Sequence, residues 1–220
     1  MEENKEWEEQ DVQTEQEEKP EEPKKKLTLD QSLAEILSVL STSIIAIMLI
    51  FTFVFRIVGV VGPSMQQTLH EGDWLLVNAF NFKHDRGDIV IITQPNAIEG
   101  MQSEPIVKSI IAVGGDKIAI DYENAAVYVN DKKIDEPYLN TPTTDDEGGF
   151  PTNVDPENNM IRWMIVPEGQ VFVMGDNRQH STDSRSALIG LIDERYILGQ
   201  VRFRFSPFNQ MKFFGDYDYE

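Results

Sequence analysis

The chain has 220 residues with no cysteine and three histidines; its 38 acidic and 19 basic side chains leave a net charge of −19. These figures exclude a disulfide scaffold, a cysteine-ligated zinc site and a thiol nucleophile. A nucleic-acid binder would need the opposite charge, and the scattered His70, His84 and His180 make no histidine-rich metal site.

In chain order, an acidic tail comes first. Residues 1–23 carry eleven acids against Lys5 and Lys19, with Trp7 and Val12 as the main apolar side chains. Such a segment buries too little surface to offset its ordering entropy, so residues 1–30 read as a disordered, solvated tail. Thr28-Leu-Asp-Gln31 resembles a capping box that opens a helix. Ile36 to Phe55 is then a run of twenty residues without a charge. A helix of that length rises ~30 Å, the thickness of a bilayer's hydrocarbon core. A cleaved signal peptide would be shorter and end at a small-x-small site, and Arg56-Ile-Val-Gly-Val-Val61 offers none. Residues 31–56 therefore read as a retained transmembrane anchor. Lys24, Lys25 and Lys26 precede it and Arg56 follows it. The positive-inside rule then puts the N-terminus in the cytoplasm and residues 57–220 across the membrane.

The remainder has the texture of a β domain. Strand-like runs are Trp74–Val77, Asp88–Ile92, Val107–Ile111, Lys117–Ile120, Ala126–Val129, Met164–Val166, Gln170–Val173 and Val201–Phe205. They are short and rich in β-branched or aromatic residues. Turn signals such as Glu71-Gly-Asp73, Arg86-Gly-Asp88 and Gly114-Gly-Asp116 separate them. Residues 141–160 read as a long polar loop or hairpin insertion.

Without cysteine, a serine activated by a neutral lysine is one way to build a nucleophile. Two segments offer the parts. One is Val61-Gly-Pro-Ser-Met-Gln-Gln-Thr-Leu69, with Ser64 in a turn. The other is Ile106-Val-Lys-Ser-Ile-Ile111, with Lys108 inside an apolar strand. A free lysine is less than ~0.1% neutral at pH 7, a handicap of about 4–5 kcal/mol. Burial favours the neutral amine and can remove most of it. Taken alone, Ser64 is also compatible with an ordinary turn and Lys108 with a snorkelling edge residue. A third segment, Met174-Gly-Asp-Asn-Arg-Gln-His-Ser-Thr-Asp-Ser-Arg185, follows an apolar strand and should fold against the core as a hydrogen-bonded knot. No G-x-S-x-G elbow surrounds Ser64, so an α/β-hydrolase is excluded.

These three segments, in this order behind an N-terminal anchor, resemble the bacterial type I signal peptidases. The likeness covers most of residues 36–207, and its most specific part is the third segment. The segments 69–77, 86–90, 114–116, 135–139 and 166–172 are similar to that family as well. The resemblance implies a mainly β catalytic domain at 57–220, with an inserted smaller β region at roughly 115–165. It implies a membrane-bound serine endopeptidase that cleaves signal peptides from exported preproteins after small residues, at Ala-x-Ala type sites.

On that resemblance Ser64 is the nucleophile and Lys108 the general base. Ser181 orients Lys108. Asp183 and Arg185 form a structural ion pair, Asp176 supports the site, and Met65 lines the substrate pocket. The Ser64 N–H forms part of the oxyanion hole. No cofactor or metal is implied. The expected partners are signal peptides, membrane lipid and the secretion translocon, with no nucleic acid.

Three positions depart from the family pattern. Gly62 stands where many members have a serine whose hydroxyl donates to the oxyanion, although another branch also has glycine there. Ser109 stands where many have an arginine paired with the aspartate at 176, which leaves Arg178 or Arg185 as candidate partners of Asp176. Gln67 replaces a frequent proline, which should loosen the turn.

Two other classes compete. A self-cleaving Ser–Lys protease of the SOS-repressor type would carry a DNA-binding domain, where this chain has an acidic tail and an anchor. A membrane-tethered β domain that binds secreted chains without cutting would not need Ser64, Lys108 and Ser181 together. Ser64 lies nine residues past Phe55, a reach of about 30 Å at most. The nucleophile should therefore work near the membrane surface, where anchoring raises its effective concentration for an apolar signal helix.

Overall fold

The computed structural model describes residues 28–80, 83–93, 105–139, 143 and 151–215. The acidic stretch 1–27 and most of the polar stretch 141–150 lie outside the described residues. By its internal contacts the chain divides into two units, residues 1–44 and 45–220.

Helix α1 spans Leu29–Phe53. It starts where the capping residues predict: the Gln31 side chain accepts the Thr28 N–H at 3.2 Å, and the Ser32 N–H reaches the Thr28 carbonyl at 3.0 Å. None of its residues is buried, and its mean hydropathy of 2.4 makes it long and apolar enough to cross a membrane. Thr42, Ser43 and Thr52 turn their hydroxyls onto carbonyls one turn back, each at 2.7 Å. Lipid offers no partner for such groups, so this internal bonding suits a spanning helix.

The helix ends earlier than residue 56. Phe55–Gly59 is strand β1, paired antiparallel with β2, Trp74–Asn78. The apolar run continues across this junction, so composition alone does not mark the change. The remaining strands are β3 (Ile89–Ile92), β4 (Ile106–Val113), β5 (Lys117–Asp121), β6 (Ala126–Val129), β7 (Lys132–Lys133), β8 (Asn153–Val154), β9 (Ile161–Ile165), β10 (Gln170–Met174), β11 (Ile192–Asp193), β12 (Ile197–Ser206) and β13 (Lys212–Phe213). Among the described residues they form two sheets. The larger runs β1-β2-β12-β3-β4-β10-β11, with β13 added to β12; the smaller runs β7-β6-β5-β9-β8. The smaller sheet is built from residues 117–165, the stretch expected to hold the insertion.

Period-two alternation sorts the larger sheet's side chains into two cores. Val90, Ile92, Ile110, Val171 and Val173 belong to one cluster. Met65, Leu69, Leu75, Ile89 and Ile91 belong to another. A buried Arg204–Asp73 pair ties β12 to the turn after β1: Arg204 Nη1 lies 2.9 Å from Asp73 and donates to the Thr68 carbonyl at 3.1 Å. Residues 60–69 are thereby fixed between two strands of the sheet.

Candidate active site

Ser64 is half-buried in the turn that follows β1. Two bonds staple this turn to the third motif. The Asn177 N–H donates to the Ser64 carbonyl at 2.9 Å, and Asn177 Nδ2 donates to the Pro63 carbonyl at 3.0 Å. Gly62, two residues earlier, has φ +86°, with open space where a side chain would stand. The glycine is required by its backbone and not by crowding.

Lys108 lies in the middle of β4 and is 3% exposed. It pairs with Val90 across β3. Alternation puts it on the same face as Ile106 and Ile110, within the cluster of Val90 and Val173. Val90 and Ile110 are thus among its buried apolar neighbours. Across β4 the register of β10 sets Met174 opposite Ser109.

At Gly175 the first and third motifs meet. A Cβ on this residue would lie 2.2 Å from Ser181 Oγ and 2.5 Å from the Ser64 carbonyl oxygen. Met174, the residue before Gly175, pairs with Ser109, the residue after Lys108. The turn itself is held by Asp183, whose carboxylate accepts the Gly175 N–H at 2.9 Å and the Ser181 hydroxyl at 2.8 Å. Arg185 grips the same carboxylate with Nε at 2.8 Å and Nη2 at 2.9 Å. Both side chains are fully buried. Ser184 completes the knot by exchanging two 3.0 Å bonds with the Val173 backbone.

Burial pushes the Asp183 carboxyl up, but the Arg185 hydrogen bonds and charge, the Gly175 N–H and the Ser181 hydroxyl outweigh it. The net position is below its ordinary value of 3.8. A depressed carboxylate stabilises the fold above its unfolded pKa, and that stability is lost as pH falls through the folded one. Arg185→Leu strands Asp183 in the interior and is expected to cost about 3–5 kcal/mol at neutral pH. With the arginine gone, burial raises the carboxyl instead, so the gap between variant and wild type narrows on acidification. Urea unfolding of both chains at pH 7 and pH 4 checks this.

Asp176 departs from the expectation. Neither arginine is its hydrogen-bond partner. Arg185 is committed to Asp183, and Arg178 makes a short bidentate contact with Glu136 and a 2.8 Å bond to Thr143. Asp176 accepts instead from the Ser109 hydroxyl at 2.7 Å and from Thr68. Burial pushes its carboxyl up, and the two hydroxyls with the nearby Arg178 charge only partly offset this. The two neutral hydroxyls satisfy hydrogen bonds of this carboxyl but carry no charge to hold it ionised.

Met65 is 1% exposed and packs with Val60, Leu69 and Leu75. It is a core residue beneath Ser64. Gln67 has φ +101°, a conformation closed to proline, whose ring fixes φ near −65°. The turn is therefore not a loosened version of a proline turn; it follows a path that proline forbids. Gln67→Pro is expected to destabilise the chain by about 3 kcal/mol or more. Gln67→Gly should change stability by less than about 1 kcal/mol, since relief of the left-handed strain offsets the entropy of glycine. Thermal unfolding of the two variants side by side distinguishes these outcomes.

Sequence reasoning missed Glu136, Thr68 and Ser184 as members of this assembly. Thr68 and Glu136 fall inside segments singled out above. Their partners lie 108 and 42 residues away (176 − 68 and 178 − 136), so no local spacing announces the contacts.

The family model for signal peptidase, peptidase S26, matches residues 33–206. Signal peptidase IB of Staphylococcus aureus (strain MRSA252) is 32% identical over 84% of this chain and 95% of its own length. Signal peptidase I of Bacillus licheniformis is 36% identical over 82% of this chain and 92% of its own. A signal peptidase I crystal structure from Enterococcus faecalis V583 aligns with 54% of this chain and 97% of its own, at 25% identity and a TM-score of 0.39. With a profile spanning 33–206 and relatives above 30% identity along most of both chains, this chain belongs to the type I signal peptidase family.

Proposed function

We propose that the chain is a membrane-anchored serine endopeptidase that removes N-terminal signal peptides from exported preproteins, with Ser64 as nucleophile and Lys108 as general base. The observation that supports it best is the convergence at Gly175. The Ser181 hydroxyl and the Ser64 carbonyl close on one residue that tolerates no side chain, directly after the Met174–Ser109 pair that adjoins the buried Lys108.

The roles follow from the chemistry of each group. Burial among Val90, Ile106 and Ile110 favours the neutral form of Lys108, the form that can accept a proton. Ser181 donates its own proton to Asp183, so its oxygen lone pairs are left to accept from the lysine amine and orient it. Ser64 Oγ attacks the carbonyl of the last signal-peptide residue as Lys108 takes its proton. The tetrahedral oxyanion is met by the Ser64 N–H. Collapse expels the amino group of the mature chain, which takes the proton from Lys108. Water, deprotonated by Lys108, then attacks the ester that joins the signal peptide to Ser64. The signal peptide leaves as a carboxylate and the serine is restored.

The anchor fits this reading. α1 holds the chain in the bilayer that also carries the apolar helix of the substrate, with the N-terminus cytoplasmic and residues 57–220 on the outer side. Lipid is thereby a partner, and the translocon that delivers the preprotein is a neighbour. Cleavage after small residues, at Ala-x-Ala junctions, is the specificity assigned.

The test is cleavage of a preprotein with an Ala-x-Ala junction by the full chain in liposomes, with N-terminal sequencing of the product. Cutting at the junction is expected, with none from Ser64→Ala. A Ser64→Ala chain that still cuts, or an intact chain that binds the preprotein without cutting, would overturn the proposal.

A further inference from the structure

A cavity of about 290 Å³ opens on the face of β4 opposite Lys108, beneath the segment that follows β12. Thr68, Ser109, Tyr138, Asp176, Phe213 and Phe214 are among its lining residues. Ser109 is too short to fill the space beside it, and Gly87 adds no side chain to the lining. Asp176 is 2% exposed and is the acid of this lining. Its hydroxyl partners, Ser109 and Thr68, can rotate to donate to it or give way to a stronger donor. The two arginines of its own motif are fixed on Asp183 and Glu136.

Two phenylalanines belong to the lining. Phe213 stacks on Phe203 with centroids 4.3 Å apart, which holds its ring in place. The Lys212 ammonium lies 5.4 Å from the Phe214 centroid, within the range of a cation–π contact. The rim of the cavity thus already accommodates a cation. A buried carboxyl and aromatic rings that line one cavity are the acceptors that suit an alkylammonium or alkylguanidinium group. Residues 57–220 carry 25 acidic and 13 basic side chains, a net charge of −12 that draws such ions toward this domain.

We propose that this cavity is a binding site for an alkylguanidinium or alkylammonium group, with Asp176 as its counter-charge and Phe213 and Phe214 as its aromatic lining. The group can come from a free organic cation or from Lys212 of the chain itself. The site is separate from the peptidase chemistry proposed above, and its test does not depend on turnover.

The experiment is thermal unfolding of the full chain in detergent with low-millimolar methylguanidinium chloride, at ionic strength matched with sodium chloride. A saturable rise in Tm is expected in the wild type, or in Lys212→Met alone if Lys212 holds the site. The rise should vanish in Asp176→Asn. It should vanish also in Ser109→Arg, whose own guanidinium would occupy the space and raise the Tm in the absence of the probe. That second variant keeps the test decisive if Asp176→Asn folds poorly. No saturable rise in either the wild type or Lys212→Met would overturn the proposal, as would an equal rise in all four chains.

Discussion

Lys108→Arg is expected to lose cleavage by at least ~10²–10⁴-fold, the usual contribution of a positioned general base. The charge is conserved and the proton-accepting ability is not, because a guanidinium does not deprotonate in a protein. Arginine is also larger than the lysine it replaces in a site that is 3% exposed, so a fold effect must be separated from a chemical one. Lys108→Met does this: it keeps the length, suits the apolar surroundings of Val90 and Ile110, and should keep or raise the Tm while cleavage falls as far. The double variant Ser64→Ala with Lys108→Met should be no slower than either single one, because the two groups act as a unit. Steady cleavage by Lys108→Met would remove Lys108 as the base.

Gly175→Ala should damage the site by geometry. The new methyl group would stand 2.2 Å from Ser181 Oγ and 2.5 Å from the Ser64 carbonyl, distances no Cβ tolerates. The Ser64 carbonyl is itself held by the Asn177 N–H at 2.9 Å, and Ser181 is held by Asp183. Neither can retreat without breaking a bond. Overpacking of this kind costs about 1–3 kcal/mol, and a displacement of ~1 Å at the nucleophile costs about 10²-fold in rate. Gly199→Ala is the control. Its Cβ would meet the Asn78 carbonyl and Val77 Cγ1, both at 2.6 Å, away from both serines. Both variants should lose stability, and only Gly175→Ala should lose kcat beyond what its unfolded fraction explains. Equal kcat loss in the two would deny Gly175 its place at the junction of the motifs.

Legibility in the sequence followed the range of the forces involved. The strands at 74–78, 89–92, 117–121, 126–129 and 170–174 were readable because Gly-Asp turns punctuate β-branched runs. Strand β1 was not. Val54 still donates to Ile50 within the helix, while its carbonyl accepts the Ala79 N–H. The switch from helix to strand is thus set by a partner strand some twenty residues on. The two-residue strands β7, β8, β11 and β13 are likewise products of their neighbours. At the site, the residue types of the three motifs were visible, and the knot around Asp183 and Arg185 was suggested by their density. The partner of Asp176 was not legible. A buried carboxylate invites an arginine on charge grounds, yet here hydroxyls serve it, and the arginine expected there turns to Glu136. Gln67 shows the same limit: a residue in place of proline says that the turn differs, but only the backbone shows that φ has changed sign.

The measurement that bears most directly on the central claim is mass spectrometry of an acid-quenched single turnover on a preprotein. The account predicts a transient adduct on the tryptic peptide that contains Ser64, equal in mass to the signal peptide less one water. It should be absent from Ser64→Ala and should decay as free signal peptide appears. Product formed with no adduct at any time, or with an adduct on another residue, would contradict Ser64 as the nucleophile.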